Sequence, residues 1–392
     1  MNFSEVLKAL GIESYPEELE TIYNTENCEL DFTCANLDKY DAEFNCIGER
    51  LAQIKECAAD VCKNPALKAY TGAAVKFLER SNHTHGFKLK LPELDAESPL
   101  YHYPIMLLAF AIPNGIETYR KRGFPDDEIK SLIGGFRGRI NSTDPNGKLN
   151  NSGYNWLRHY TSAALFGAGL FSVTPRLIDA PILVLKNYNG EYKVIMKAGR
   201  FHASGNYLGN AGLADEEGSF EAIFSEDEEF YTGNEVINSR VEKNVSRLPK
   251  GEWKVIAKQW DWMVGLHIPR KADLSEESMT KGFRDAMAKT LKHYADLKPK
   301  FVHTSTWLLS PKLAELQGEG SGIKRFSDRF IKYPIKSGGK ELFPFAFPGN
   351  FESYEKLPEN TSLQRKLKKL YLDGGFIHAH AGFVPHSDEW TE

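Results

Sequence analysis

The chain has 392 residues, of which 41% are hydrophobic and 26% charged, and its formal net charge is −4. This composition is typical of a globular protein with two or three domains, and the weak acidity favours neither nucleic acid nor an anionic membrane as the main partner. No apolar run reaches the roughly 20 residues of a membrane helix, and the N-terminus lacks a signal-peptide pattern. The sequence therefore predicts a cytoplasmic protein with neither nucleic acid nor a membrane as its main partner.

The five cysteines all lie within the first 62 residues, their number is odd, and no Cys-x-x-Cys occurs. This pattern favours reduced thiols over a disulfide framework or a zinc site.

The N-terminal part of the chain shows helical spacing of its apolar residues. Segment 39–62 places Phe44, Ile47, Leu51 and Ile54 three or four residues apart, which predicts one amphipathic helix. The apolar segment 105–112 predicts an element buried on all sides, and helical character resumes at 116–123, 124–140 and 154–170.

From about residue 175 the pattern changes to short β-rich runs. Residues 181–184 and 192–196 flank Asn189-Gly190, which is typical of a type I′ hairpin. We therefore expect an all-helical domain over 1–174 and a β-containing domain over 175–392.

Residues 262–309 predict the central unit of the second domain. The apolar run 262–268 reads as a buried strand, 275–295 has helical periodicity, and 301–309 forms a second apolar run. A strand, a crossover helix and a second strand imply a parallel pair with a right-handed connection. Further along, 323–333 and 376–384 are predicted as strands, and 362–372 as a helix.

Several short motifs carry a resemblance to a known family: FYTGNEV at 230–236, LPKGEW at 248–253, LHIP at 266–269, WLLSPKL at 307–313, IKRF at 323–326, and LQR at 363–365 with Gly-Gly at 374–375. Through them, residues 225–385 resemble the C-terminal half of a bacterial two-domain acyltransferase family. A thinner likeness in the N-terminal half rests on YRKRGFP at 119–125 and Trp-Leu at 156–157.

The resemblance implies an α+β protein in which an all-helical N-terminal domain precedes a GNAT-like (N-acetyltransferase-like) mixed β-sheet domain with flanking helices. It also implies acyl-CoA as cosubstrate and transfer of its acyl group to a small-molecule amine or similar acceptor, bound in an interdomain cleft. Three features depart from the expected patterns. Thr304-Ser305-Thr306 replaces a Cys-His-Ser run of the family, and residues 169–173 (GLFSV) replace a Gly-Arg-Leu-Gln-Phe run. The Gln/Arg-x-x-Gly-x-Gly/Ala loop of ordinary N-acetyltransferases is absent after Pro269. The alternative is therefore a catalytically silent GNAT-like ligand-binding or regulatory protein.

Four residues are candidates for the chemistry of acyl transfer. His267 lies near the carboxyl end of the central strand, where ligands of open sheets bind, and is the candidate base. His303 lies on the next strand, and for both histidines the alternative is a core residue hydrogen-bonded to backbone. Ser305 offers a hydroxyl to substrate, and Tyr333 is a candidate proton donor to the departing thiolate or a buried tyrosine with one hydrogen bond.

The acyl-CoA contacts are predicted where the central strand leads into the crossover helix. Asp273 and Glu276 resemble a capping box, and a helix N-terminus favours anions. The alternative is an ordinary basic turn between strand and helix. The predicted cofactor-binding residues are His267, Ile268, Arg270, Lys271, Asp273 and Ser310.

No metal site is predicted. His378 and His380 share a strand face, but a metal there would need a further ligand, such as His386.

Overall fold

A computed structural model of the chain describes residues 1–80, 89–94, 98–142, 151–270 and 272–385, with backbone alone for 151–155. The chain divides into two compact units, Met1–Gly167 and Ala168–Glu392. Among the residues described, none of the helices combines the length and the apolar character that a bilayer span requires.

The described part of the first unit is helical. Its α-helices are α1 Phe3–Ala9, α2 Glu17–Thr25, α3 Ala35–Phe44, α4 Leu51–Val61, α5 Pro65–Glu79, α6 Tyr103–Lys121, α7 Asp126–Asn141 and α8 Asn151–Thr161.

Helix α6 forms the centre of this unit. Its residues 105–109 are all buried, as the apolar run predicted, and only Phe110 within 105–112 is partly exposed. Helix α5 packs beside it, where the hydroxyls of Thr71 and Tyr103 form a buried hydrogen bond of 2.9 Å. On the same helix, a Cβ at Gly72 would lie 1.9 Å from the carbonyl oxygen of Cys28, so only glycine allows this approach.

The prediction of one continuous helix over 39–62 is wrong. Helix α3 ends at Phe44, and Asn45 takes a left-handed conformation with φ 49°. The carboxylate of Asp41 then accepts hydrogen bonds from the backbone N–H groups of Ile47 and Gly48, at 2.6 and 3.2 Å. These local bonds satisfy amides that a continuing helix would have used, so the chain turns before α4 begins.

The second unit contains most of the strands. They are β1 Phe166–Ala168, at the boundary, followed by β2 Phe171–Leu177, β3 Ile182–Asn187, β4 Tyr192–Met196, β5 Arg200–Phe201, β6 Phe220–Glu221, β7 Phe224–Glu226, β8 Phe230–Ile237, β9 Arg240–Pro249, β10 Trp253–Lys258, β11 Trp262–His267, β12 Val302–Thr306, β13 Ile331–Pro334 and β14 His380–Val384. The expected boundary at 174/175 falls within β2. The helices of this unit are α9 Glu276–Tyr294, α10 Pro311–Gln317, α11 Gly322–Asp328, α12 Phe343–Ala346 and α13 Ser362–Leu372.

The strands form two main sheets. A mixed sheet has the order β2-β11-β12-β14-β13, in which β11 and β12 are parallel and the other pairs antiparallel. An antiparallel sheet has the order β10-β3-β4-β8-β7, with β9 also paired to β8. The hairpin predicted at Asn189-Gly190 is confirmed as β3–β4, with Gly190 at φ 85°. The α+β class and the mixed sheet agree with the sequence prediction.

The predicted strand–helix–strand unit is confirmed as β11-α9-β12. Helix α9 covers one face of the mixed sheet, where Phe283 stacks on Phe171 of β2 with ring centroids 5.4 Å apart. Side chains of the opposite face, including Met263 and Phe383, share a buried cluster with Val184 and Met196 of the antiparallel sheet. The mixed sheet is thus covered on both faces.

The strand predicted over 323–333 is wrong in its first half. Residues 322–328 form α11, whose N-cap Ser321 accepts from the N–H of Lys324 at 3.0 Å, and only 331–334 are strand. Apolar residues 323, 326 and 330 are compatible with a helix as well as with a strand, and the N-terminal serine cap favours the helix. The last strand is also shorter than predicted, since β14 begins at His380.

Candidate functional site

Polar side chains gather on the face of the mixed sheet that is turned toward the antiparallel sheet. Because successive residues of a strand point to opposite faces, strand parity and direct contacts place these residues together. We call this surface the polar face; its members are Thr174 and Arg176 of β2, His267 of β11, His303 and Ser305 of β12, and Tyr333 of β13. The four predicted catalytic residues therefore lie on one surface.

Beside the polar face, the two parallel strands stop pairing before they end. Register pairs join β11 and β12 only at Val264–Val302 and Gly265–His303. Beyond these, the carbonyl of Leu266 accepts a hydrogen bond from the side-chain hydroxyl of Thr304 at 3.1 Å. Each strand remains paired on its outer side, β11 with β2 and β12 with β14. The carboxyl ends of the parallel pair thus mark a break in the sheet.

His267 lies at this break. Its Nε2 is 3.0 Å from the hydroxyl of Thr174. Burial, aided by the positive charge of Arg176, lowers the pKa of His267 to about 4. The imidazole is therefore neutral at physiological pH and is a weak base.

His303 and Tyr333 form a buried pair across β14, with Nε2 and the hydroxyl oxygen 2.9 Å apart. Burial, with a contribution from Arg176, holds the pKa of His303 well below its usual value, and burial raises that of Tyr333. Both groups are therefore neutral near pH 7. Within the described residues, Nδ1 of His303 makes no hydrogen bond.

Arg176 belongs to the polar face but was not among the sequence candidates. Its side chain crosses β11 at Gly265, where a Cβ would lie 2.7 Å from Cδ of Arg176. The signal that could have found it was the glycine inside an otherwise apolar strand, since such a glycine often marks the close approach of another group. Arg176 itself lies in β2, a strand that was not predicted, and gave no pattern of its own.

The predicted phosphate contacts lie after β11, around the start of α9. Arg270 is exposed, Ile268 is half-buried, and Lys271 lies outside the described residues. The predicted capping box is wrong: the N-cap of α9 is Ser275, which accepts from the N–H of Ser278.

Asp273 instead accepts hydrogen bonds from the hydroxyls of Ser278 and Ser275, at 2.5 and 2.9 Å. These bonds lower its pKa, so a carboxylate stands just before the helix. A negative charge here occupies the end of the helix dipole that would otherwise attract phosphate. Ser310 is buried and caps α10 through its backbone only. The cofactor roles of these residues stay predictions.

Metal ligands are not grouped anywhere in the described residues: no three His, Cys, Asp or Glu side chains come close enough to hold an ion. His380 lies in β14 with its Nδ1 3.2 Å from the carbonyl of His378, while His386 lies outside the described residues.

The C-terminal part of the chain matches a known domain family. Residues 200–384 match the GNAT-like C-terminal domain. This match confirms the resemblance of the C-terminal half, and the segment carries a GNAT-like C-terminal domain. No curated protein is detectably similar to the chain in sequence.

Solved acyltransferase structures share the fold of the chain. One, in complex with decanoyl-CoA and teicoplanin, is 15% identical with a TM-score of 0.58, over 98% of this chain and 99% of the other. A mutant acyltransferase in complex with octanoyl-CoA is 14% identical with a TM-score of 0.59, over 99% and 100% of the two chains. A further complex with decanoyl-CoA has 14% identity, a TM-score of 0.58, and the same two coverages of 99% and 100%. At this identity the likeness shows a common fold that extends through both units.

Proposed function

We propose that the chain is an acyl-CoA-dependent acyltransferase that acylates a small-molecule amine. The observation that carries the proposal is the break between the parallel strands β11 and β12, with a neutral histidine beside it. The fold is shared with acyltransferases whose structures contain acyl-CoA, which supports the same cosubstrate here.

The break offers a place for an extended ligand. Two strands that part at their carboxyl ends turn backbone amides and carbonyls toward the gap, and the amide-containing arm of CoA can pair with such groups as an added strand would. In this position the thioester would lie near His267, and the phosphates would extend toward Arg270. The position of the acceptor between the two units stays a prediction, as does a cytoplasmic location.

The reaction forms one carbon–nitrogen bond and breaks one carbon–sulfur bond. The amine attacks the thioester carbonyl carbon, the resulting oxyanion collapses, and CoA leaves as the thiolate. The amine nitrogen must lose a proton, and neutral His267, with Thr174 at 3.0 Å from its Nε2, can accept it. Tyr333 is protonated because burial raises its pKa, and beside His303 it can donate this proton to the thiolate; the proton that His267 took from the amine is released to solvent, from which Tyr333 is reprotonated. Ser305, half-buried on the same face, can bind a substrate oxygen.

Calorimetry and thermal-shift measurements with acetyl-CoA, octanoyl-CoA, decanoyl-CoA and free CoA test the proposal, followed by thiol release with a panel of amines. We expect an acyl-CoA to stabilise the protein and to be consumed in the presence of an amine. No stabilisation by any of the four compounds would contradict the proposal. The His267→Ala variant should keep acyl-CoA binding and lose most turnover, whereas full turnover would remove His267 as the base.

A catalytically silent acyl-CoA-binding protein is the second candidate. It is favoured by the low pKa values of both histidines on the polar face, which make them weak bases. Acyl-CoA binding without thiol release across the amine panel would support it over the enzyme.

A further inference from the structure

Arg176 places a positive charge on the polar face. The residue is partly buried, and among the described residues it has no hydrogen bond or ion pair. Its charge is therefore available to an anionic ligand.

The backbone around Arg176 is shaped to admit its side chain. Both Cγ and Cδ of Arg176 lie within 3 Å of the position that a Cβ of Gly265 would occupy, at 2.9 and 2.7 Å. The side chain therefore passes from β2 over β11 toward β12, where its charge acts on His303 and, beyond it, on Tyr333.

Three groups that share the polar face with the guanidinium carry no charge. His267 and His303 are neutral and Tyr333 is protonated, so they supply dipoles, while the carboxylate of Asp179 also acts on Tyr333. An anion bound here would gain a charge-assisted contact with Arg176 and hydrogen-bond partners from the same surface.

The guanidinium is also offset from the place proposed for the thioester. Gly265 lies two residues before His267, which is about 6–7 Å along a strand. A cation at that offset can hold a second group of the acceptor while the acceptor amine faces His267. Since the planar guanidinium matches a carboxylate with two parallel hydrogen bonds, a carboxylate fits this position well.

We propose that Arg176 binds a carboxylate of the acyl acceptor, so that the acceptors are amines that carry a carboxylate, such as amino acids. The proposal rests on the proposed acyltransferase function and adds the substrate class to it.

Paired acceptors test the inference: glycine, alanine, phenylalanine and tyrosine, each compared with its decarboxylated amine, with decanoyl-CoA as donor. We expect the wild-type kcat/KM to favour the carboxylate-bearing member by about 10- to 100-fold. In Arg176→Met this ratio should fall close to one, and Arg176→Lys should keep part of it, because lysine keeps the charge and loses the two-pronged geometry. Arg247→Met, which removes an exposed strand arginine stacked on Phe230, should keep the wild-type ratio.

A wild-type ratio near one, or a ratio that Arg176→Met leaves unchanged, would overturn the inference. If no member of any pair is acylated, the same compounds are measured as inhibitors of acyl transfer to hydroxylamine, a small acceptor without a carboxylate. Equal inhibition by both members of each pair would then overturn it. If hydroxylamine itself is not acylated, the acyltransferase proposal fails, and calorimetric titration of the carboxylates into wild type and Arg176→Met decides the anion site by itself.

Discussion

The Nε2 of His303 and the hydroxyl of Tyr333 meet at 2.9 Å across strand β14, and only 2% and 1% of the two residues are exposed. Two polar side chains from different strands thus satisfy each other in the interior of the second unit. Such a pair contributes to stability mainly because breaking it leaves a polar group buried without a partner.

Tyr333→Phe should therefore lower the free energy of unfolding by about 1–3 kcal/mol, since Nε2 of His303 loses its partner. Denaturant unfolding measures the change. Tyr188→Phe is the matched control, because Tyr188 is 81% exposed and its variant should stay within about 0.5 kcal/mol of wild type. Equal stability of Tyr333→Phe and wild type would show that the pair is not formed.

Thr304→Val should disturb the geometry of the break between β11 and β12. The substitution keeps the shape of the side chain and removes the hydroxyl that donates to the carbonyl of Leu266. We expect the free energy of unfolding to fall by about 1–2 kcal/mol and decanoyl-CoA to bind more weakly. Thr290→Val is the control: Thr290 is equally buried, but its hydroxyl bonds a carbonyl within its own helix, that of Ala286. Calorimetry that finds the same decanoyl-CoA affinity in both variants would separate Thr304 from the binding site.

Gly265→Ala should destabilise the second unit by about 1–3 kcal/mol, as overpacking of a filled interior does. The new Cβ would lie 2.7 Å from both the carbonyl oxygen of Thr174 and Cδ of Arg176, so backbone or arginine must move. Gly251→Ala, with no atom within 4 Å of its new Cβ, should leave the melting temperature nearly unchanged. A Gly265→Ala protein with wild-type stability and acceptor preference would contradict the path assigned to Arg176.

Stability should fall as the pH is lowered from about 6.5 toward 4. Burial lowers the pKa of His380 from 6.5 to about 4, and it also holds that of His303 well below its usual value. The unfolded chain therefore binds more protons than the folded protein in this range. The contribution of these histidines to the free energy of unfolding is complete above pH 6.5 and is lost as the pH falls through their pKa values in the folded protein. For His380 the loss amounts to about 3 kcal/mol at 1.36 kcal/mol per pKa unit. Unfolding measured from pH 8 to 4 should be less pH-dependent in His380→Gln; an unchanged dependence would exclude His380 as a source.

Local patterns in the sequence were enough to predict the central unit and the hairpin. The strand at 262–268, the helix after it and the Asn189-Gly190 turn each carry their own periodicity or turn chemistry, and each is present. The helix ends were harder to predict. The left-handed backbone of Asn45 ends α3, and the side chain of Ser321 caps the start of α11, and the spacing of apolar residues shows neither feature.

The candidate site was predictable only along individual strands. His267 and His303 were found because they stand near the end of a recognisable parallel pair, but their pKa values depend on burial and on Arg176, which is far away in sequence. Arg176 itself lies in β2, whose residues pair with β11 residues 85 to 95 positions further along the chain, and no local spacing reveals that neighbour.

Hydrogen–deuterium exchange of the protein with and without decanoyl-CoA tests most directly whether acyl-CoA binds at the break between β11 and β12. We expect slower exchange of backbone amides in peptides covering 262–268 and 302–306, with little change in the β3–β4 hairpin at 182–196. Decanoic acid and free CoA, added separately, show which part of the ligand produces the protection. Protection that is absent from both strand ends, or confined to other regions of the chain, would contradict the assignment of acyl-CoA to the break between β11 and β12.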